Sequence, residues 1–148
     1  MELLKHTRVL VHMALHLTGL RILLVEDETL LAWELEMALM EAGAIVIGPA
    51  KTLSIGCALA QQEDLAAAIL DMQLGDEQSG PIAEALYEQG VPFVLHTGNM
   101  GANELAEFWA APVVTKPSTP DIIIAHVANL VRQDGKLVRQ DRMSDRVS

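Results

Sequence analysis

Five short runs, LRILLV (20–25), AIVIGPA (44–50), AAAILD (66–71), VPFVLHT (91–97) and APVVT (111–115), are apolar without the alternation of a half-exposed strand. Strands of that kind have to be buried on both faces. Helix-length stretches lie between them, bounded by turn signals: Thr29 to Ala42 before Gly43, Leu53 to Gln62, Pro81 to Gln89 before Gly90, and Ala102 to Ala110. A last helix opens at Thr119-Pro120-Asp121, where Thr caps, Pro fits the first helical position and Asp suits the positive end of the helix dipole. It is expected to reach about Gln133 and stop before Gly135. Five βα units in this order predict an α/β fold, a doubly wound five-stranded parallel sheet with helices on both faces.

In such a sheet ligands bind beyond the carboxyl ends of the strands, where the strand order reverses. The residues there are Glu26, Asp27 and Glu28 after the first strand, Asp71 after the third, Thr97 after the fourth and Lys116 after the fifth. The second strand ends in Pro49 and Ala50, which carry no chemistry. Each polar residue alone has a plainer use: acids open helices, Thr97 sits in a TG turn, and Lys116 precedes a proline. Together, carboxylates converging on one edge need a cation, and oxygen-only ligands point to Mg²⁺. Asp71 can then attack phosphorus and form an acyl phosphate, with Lys116 paired to one phosphoryl oxygen and Thr97 donating to another.

LLVEDE, ILDMQLGDEQSG, VLHTG and VVTKP stand in this order over residues 20–133. As a set they resemble the response-regulator receiver domain, the CheY-like phospho-acceptor of two-component signalling, here of the stand-alone type. The resemblance implies a flavodoxin-like (βα)5 fold with Asp71 as the phosphorylated residue, Asp27 as a direct Mg²⁺ ligand and Glu26 acting through a water. It also implies that the backbone carbonyl of Gln73 completes the ligands, that Thr97 and Lys116 bind the phosphoryl group, and that Gly98 keeps the pocket open. Glu28 is left as a solvated helix start. The implied partners are a histidine kinase or histidine phosphotransfer protein as donor and a downstream protein target. The chain would catalyse its own phosphorylation and dephosphorylation, with no outside substrate. The competing reading is a docking or dimerisation receiver that is never phosphorylated.

Several positions depart from that family. Val113 stands where many receivers carry a switch aromatic, Gly75 where a proline is usual, and one extra residue precedes Gly80. Met100 replaces the aromatic that one subgroup has after TG, and Asn99 and Gln73 flank the pocket. His96 precedes Thr97 and, by strand alternation, points away from the phosphate site as a buried, hydrogen-bonded side chain. Gln73 occupies the place of the second Asp that a dehalogenase-type phosphatase needs, and no GxGxxG of a dinucleotide binder is present.

Charge narrows the partners further. The chain carries a net −10, and residues 20–131 hold sixteen Asp and Glu against Arg21, Lys51 and Lys116, so nucleic acid is not expected to bind. The single Cys57 staples nothing, and with no membrane span and no signal-peptide cleavage site a cytoplasmic location is expected. His12 and His16 lack the further ligands of a metal site.

On a wheel of the first helix, Leu31, Leu35, Ala38, Leu39 and Ala42 share the face suited to the sheet, while Trp33, Met37 and Met40, with Leu30, form a second stripe opposite. An interaction surface is expected there. Residues 1–19 read as an extension. It is either a helix that covers that stripe or pairs two protomers as a homodimer, or a disordered leader ahead of a start at Met13. Residues 20–133 form the receiver and 134–148 a polar tail.

Overall fold

The computed structural model describes residues 16–98 and 107–144, with side chains as far as Arg132. Expectations placed on residues 1–15, on Asn99 and Met100, and on the first part of the Ala102–Ala110 helix lie outside the described residues. In chain order the elements are β1 (Arg21–Val25), α1 (Thr29–Glu41), β2 (Ile45–Ala50), α2 (Leu53–Ala60), β3 (Leu65–Leu70), β4 (Gln73–Leu74), β5 (Glu77–Gln78), α3 (Gly80–Glu88), β6 (Phe93–Thr97), β7 (Val113–Thr115) and α4 (Pro120–Ser144). A short helical stretch, 107–109, precedes β7.

The main sheet runs β2-β1-β3-β6-β7, parallel throughout, as the unbroken apolar runs required. Residues of each strand divide between the two faces by parity. Leu23, Val25, Ala68, Leu70 and Leu95 pack with α2 and α3, around Ala60, Ile82 and Leu86. Ile22, Leu24, Ala67, Ile69 and Val94 pack with α1 and α4, around Leu35, Leu39, Ile123 and Val127. A Cβ on Gly56 would run into Ile82, so glycine is what lets α2 lie close against α3. Thr52 caps α2 by accepting from the Ile55 amide at 3.2 Å.

Chain order reverses at β1. The chain leaves β1 for the edge strand β2, then crosses back to lay β3 on the other side of β1, which puts the switch point between β1 and β3. The opposite, amino end of the sheet gathers four aromatic residues. Trp109 stands edge-on to Tyr87, Phe93 and Phe108, at centroid distances of 5.3, 6.3 and 4.8 Å. Tyr87, Phe93 and Trp109, with Pro92, Ala111 and Leu130, line a hollow of about 230 Å³.

One expectation fails. The last helix does not stop before Gly135 but runs on to Ser144. One helix-interior glycine costs about 1 kcal/mol relative to alanine, and the following KLVRQ is a good helix former. The segment after Asp71 carries two further short strands. It folds as a small antiparallel hairpin, β4–β5, with Leu74 opposite Glu77 across a Gly75-Asp76 turn.

Candidate functional site

The sheet's hydrogen-bond pattern continues one residue past three of its strands. The Glu26 amide donates to the Ala50 carbonyl at 3.0 Å, the Asp71 amide to Val25 at 3.0 Å, and the Lys116 amide to Thr97 at 2.9 Å. These bonds fix Glu26, Asp71 and Lys116 on the rim beside the β1–β3 switch point. Lys116 Nζ lies 3.0 and 3.2 Å from the two Glu26 oxygens and 3.1 Å from Asp71 Oδ2. Both carboxylates are buried, at 1% and 4% exposure, so one ammonium serves two desolvated acids. Asp27 is half-buried beside them, and oxygens of Glu26, Asp27 and Asp71 all lie within 4.8 Å of one another.

That crowding shows in the ionisation. Burial, and then the charge of Asp71, push the Glu26 carboxyl up to about 7, against the hydrogen bond from Lys116. For Lys116 burial opposes the charge, but the hydrogen bonds to Glu26 and Asp71 and their charges outweigh it and raise its pKa. The site therefore holds more negative charge than one lysine can satisfy. All-oxygen donors in a carboxylate-rich pocket suit a hard divalent cation such as Mg²⁺.

The hairpin braces the acids, which the sequence reading missed. The Gly75 amide donates to Asp27 Oδ2 at 2.8 Å, from a residue at φ +60° where glycine is at ease. A proline there would have no N–H to give. The Gln73 amide donates to Asp71 Oδ1 at 3.1 Å, and the buried Ser79 hydroxyl donates to the Asp71 carbonyl at 2.6 Å. The Gly-Asp pair between two short runs was a legible hairpin signal. Ser79 gave none.

Thr97 is buried at the end of β6, opposite Thr115 in register and on the same rim. A Cβ on the exposed Gly98 would meet only Lys116 Cβ, at 3.9 Å, so the protein's own packing does not demand a glycine there. Glu28 occupies the N-cap of α1, exposed and without a side-chain cap bond. His96 is buried, as expected, with Nε2 3.2 Å from Ser118 Oγ, and Nδ1 has no hydrogen-bond partner. Burial, then the charge of Lys116, lower its pKa to about 4. Val113 is half-buried in β7. Beside the site a hollow of about 240 Å³ is lined by Glu28, Leu30, Glu34, His96, Lys116 and Ser118. Trp33, Met37 and Met40 stand exposed on α1.

No protein-family model matches the sequence, and no curated protein does. Solved structures do match. The CheY-like response regulator receiver domain protein of Methanospirillum hungatei JF-1 aligns with a TM-score of 0.72 and 22% identity, over 80% of this chain and 98% of that one. The HemR receiver domain of Leptospira biflexa gives 0.69 at 26% identity, over 76% and 94%. The response regulator PhyR of Brucella abortus gives 0.70 at 25%, over 88% of this chain but 56% of PhyR. The fold is thus that of the CheY-like receiver domains of response regulators. In this fold the acids gather at the switch point between β1 and β3. Among the described residues no helix is long and apolar enough to cross a membrane.

Proposed function

We propose that this chain accepts a phosphoryl group on Asp71 from a phosphohistidine of a histidine kinase or phosphotransfer protein, and that the phosphorylated form changes its contacts with a downstream protein. The observation that carries this reading is the single ammonium of Lys116 held between buried Glu26 and Asp71, with Asp27 alongside. In the transfer an Asp71 carboxylate oxygen bonds to phosphorus, the P–N bond breaks, and its electron pair returns to the histidine ring. Asp27, Asp71 and the Gln73 carbonyl would hold Mg²⁺, with Glu26 acting through a water, and the ion would offset the charge of the carboxylates and phosphoryl oxygens.

The remaining work belongs to the chain itself. Gln73 and Ser79 hold Asp71 in place. Lys116 leaves the Asp71 oxygen for a phosphoryl oxygen, and the Thr97 hydroxyl donates to another. Gly98 leaves room for the group. The shift of Thr97 pulls on β6 and on the segment that follows it, a packing change set off by a local change of charge. The donor approaches over the start of α1 and the hollow beside Lys116.

Acetyl phosphate with Mg²⁺, followed by intact-mass measurement, tests this. The expected result is one added phosphoryl group, labile to hydroxylamine and lost in Asp71→Asn. No Mg²⁺-dependent addition would favour the unphosphorylated docking receiver.

A further inference from the structure

The hollow at the amino end of the sheet takes no part in the acid site. Phe93 lines it as a buried ring, whereas Tyr87 is 58% exposed. Phe108, which like Tyr87 meets Trp109 edge-on, is 72% exposed. Large rings left in water beside a hollow are unfavourable in proportion to their apolar area, and such patches mark contact sites for other proteins. Ala110, which also lines the hollow, sits at φ +52°. That left-handed conformation is unfavourable for alanine, and strain of this kind collects at binding sites. At about 230 Å³ the hollow falls below the roughly 300 Å³ at which pockets for cofactors and drug-sized ligands begin. It takes one bulky apolar side chain and leaves the exposed rings of Tyr87 and Phe108 to that residue's neighbours.

Charge selects the partner. Glu84 and Glu88 lie one turn apart on α3 with Tyr87 between them, and Glu107 precedes Phe108; all three acids are exposed. Among the described side chains the Lys and Arg residues are Arg21, Lys51, Lys116 and Arg132. Arg21 donates to Gln62 at 2.7 Å, Lys51 to Thr29 at 3.3 Å, and Lys116 to Glu26 and Asp71. Arg132 stands two residues past Leu130 on α4, and residues so spaced face different sides of a helix. None of the four lines the hollow. A second copy would bring the same acids against these, which is unfavourable. A segment with Lys or Arg beside its apolar anchor is attracted instead, both by the carboxylates and by the faces of the exposed rings.

We infer that this hollow docks a basic segment of a partner protein. One large apolar side chain enters against Phe93 and Trp109, and flanking Lys or Arg side chains lie over Tyr87 and Phe108, within the field of Glu84, Glu88 and Glu107. The site lies at the end of the sheet away from Asp71 and does not rest on the phospho-acceptor reading.

The probe is the blocked peptide acetyl-Lys-Arg-Phe-Leu-Arg-Lys-amide, added to the full-length chain carrying Trp33→Phe, in which Trp109 is the single tryptophan. A saturable change in Trp109 emission is expected, together with NMR shifts of the Gly90, Val91 and Ala111 amides. Replacing the peptide's Phe-Leu by Ser-Ser should weaken binding about tenfold, as loss of a buried anchor does. Glu88→Lys with Glu107→Lys should weaken binding of the basic peptide and strengthen that of acetyl-Glu-Asp-Phe-Leu-Asp-Glu-amide. Phe108→Ser should weaken the basic peptide while far-UV circular dichroism and the urea midpoint stay unchanged. No saturable response to the basic peptide would overturn the inference, and so would equal binding of the basic and acidic peptides before the charge reversal. A dimeric mass that Phe108→Ser converts to a monomer would assign the hollow to a second copy and overturn it as well.

Discussion

The two ends of one sheet are built on opposite principles. At the carboxyl end Glu26, Asp27 and Asp71 crowd around Lys116, and the Glu26 carboxyl is pushed up to about 7. At the amino end Tyr87, Phe93, Phe108 and Trp109, four of the chain's five aromatic residues, meet edge to face. Aromatic contacts and apolar burial favour the folded state, whereas gathering like charges away from water opposes it. The difference teaches where chemistry and stability are separable. Removing charge from the carboxyl end should abolish chemistry and spare the fold. Removing apolar volume from the other half should do the reverse.

Asp27→Asn breaks the comparison most sharply. It should eliminate Mg²⁺-dependent labelling by acetyl phosphate, read by intact mass, while the urea midpoint stays unchanged or rises. Next, Leu86→Ala, at a fully buried side chain that packs α3 on the sheet, should cost about 2–5 kcal/mol in urea unfolding and leave labelling of the folded protein intact.

The pH dependence of stability sharpens the contrast through two groups of opposite sign. His96 has a folded pKa of about 4 against an ordinary 6.5, so between these values the unfolded chain binds a proton that the folded chain refuses. Its contribution is present above about pH 6.5 and is lost as pH falls toward 4, by about 3 kcal/mol, and His96→Gln should remove that loss. Glu26 works the other way. Its folded pKa is raised from 4.5 to about 7, so its contribution declines as pH rises through that window, and Glu26→Gln should be relatively more stable at pH 8 than at pH 6. Because that proton competes with a cation, the Tm increase produced by Mg²⁺ should be larger at pH 8 than at pH 6. The smallest effect belongs to Glu28→Gln. This exposed N-cap residue makes no side-chain cap bond, so a change within about 0.5 kcal/mol and normal labelling are expected.

The sheet was legible in the sequence because burial on both faces removes polar residues from a strand, and β1, β3 and β6 kept that pattern. The residues at the strand ends were legible for the complementary reason, since charge beside such a run has few neutral explanations. Pairing was not legible. That Lys116 would hold Glu26 as tightly as Asp71 depends on which strands are neighbours, and β1, β3 and β7 are far apart in the chain. The same holds for the aromatic group, whose members span residues 87 to 109 and meet only once β6 and α3 are in place. Gly135 misled for a local reason: a glycine marks a helix end only where the residues after it do not favour helix, and KLVRQ does.

The two edges of the sheet bear on how this molecule can associate. One is β7, only three residues long, and the other is β2, which contains Pro49 and so lacks one backbone donor. Neither offers a long, regular ladder of free amides and carbonyls to an incoming strand. Strand-to-strand growth into fibrils or swapped sheets is therefore discouraged by the backbone itself. Association of this chain is thus steered away from the edges of its sheet.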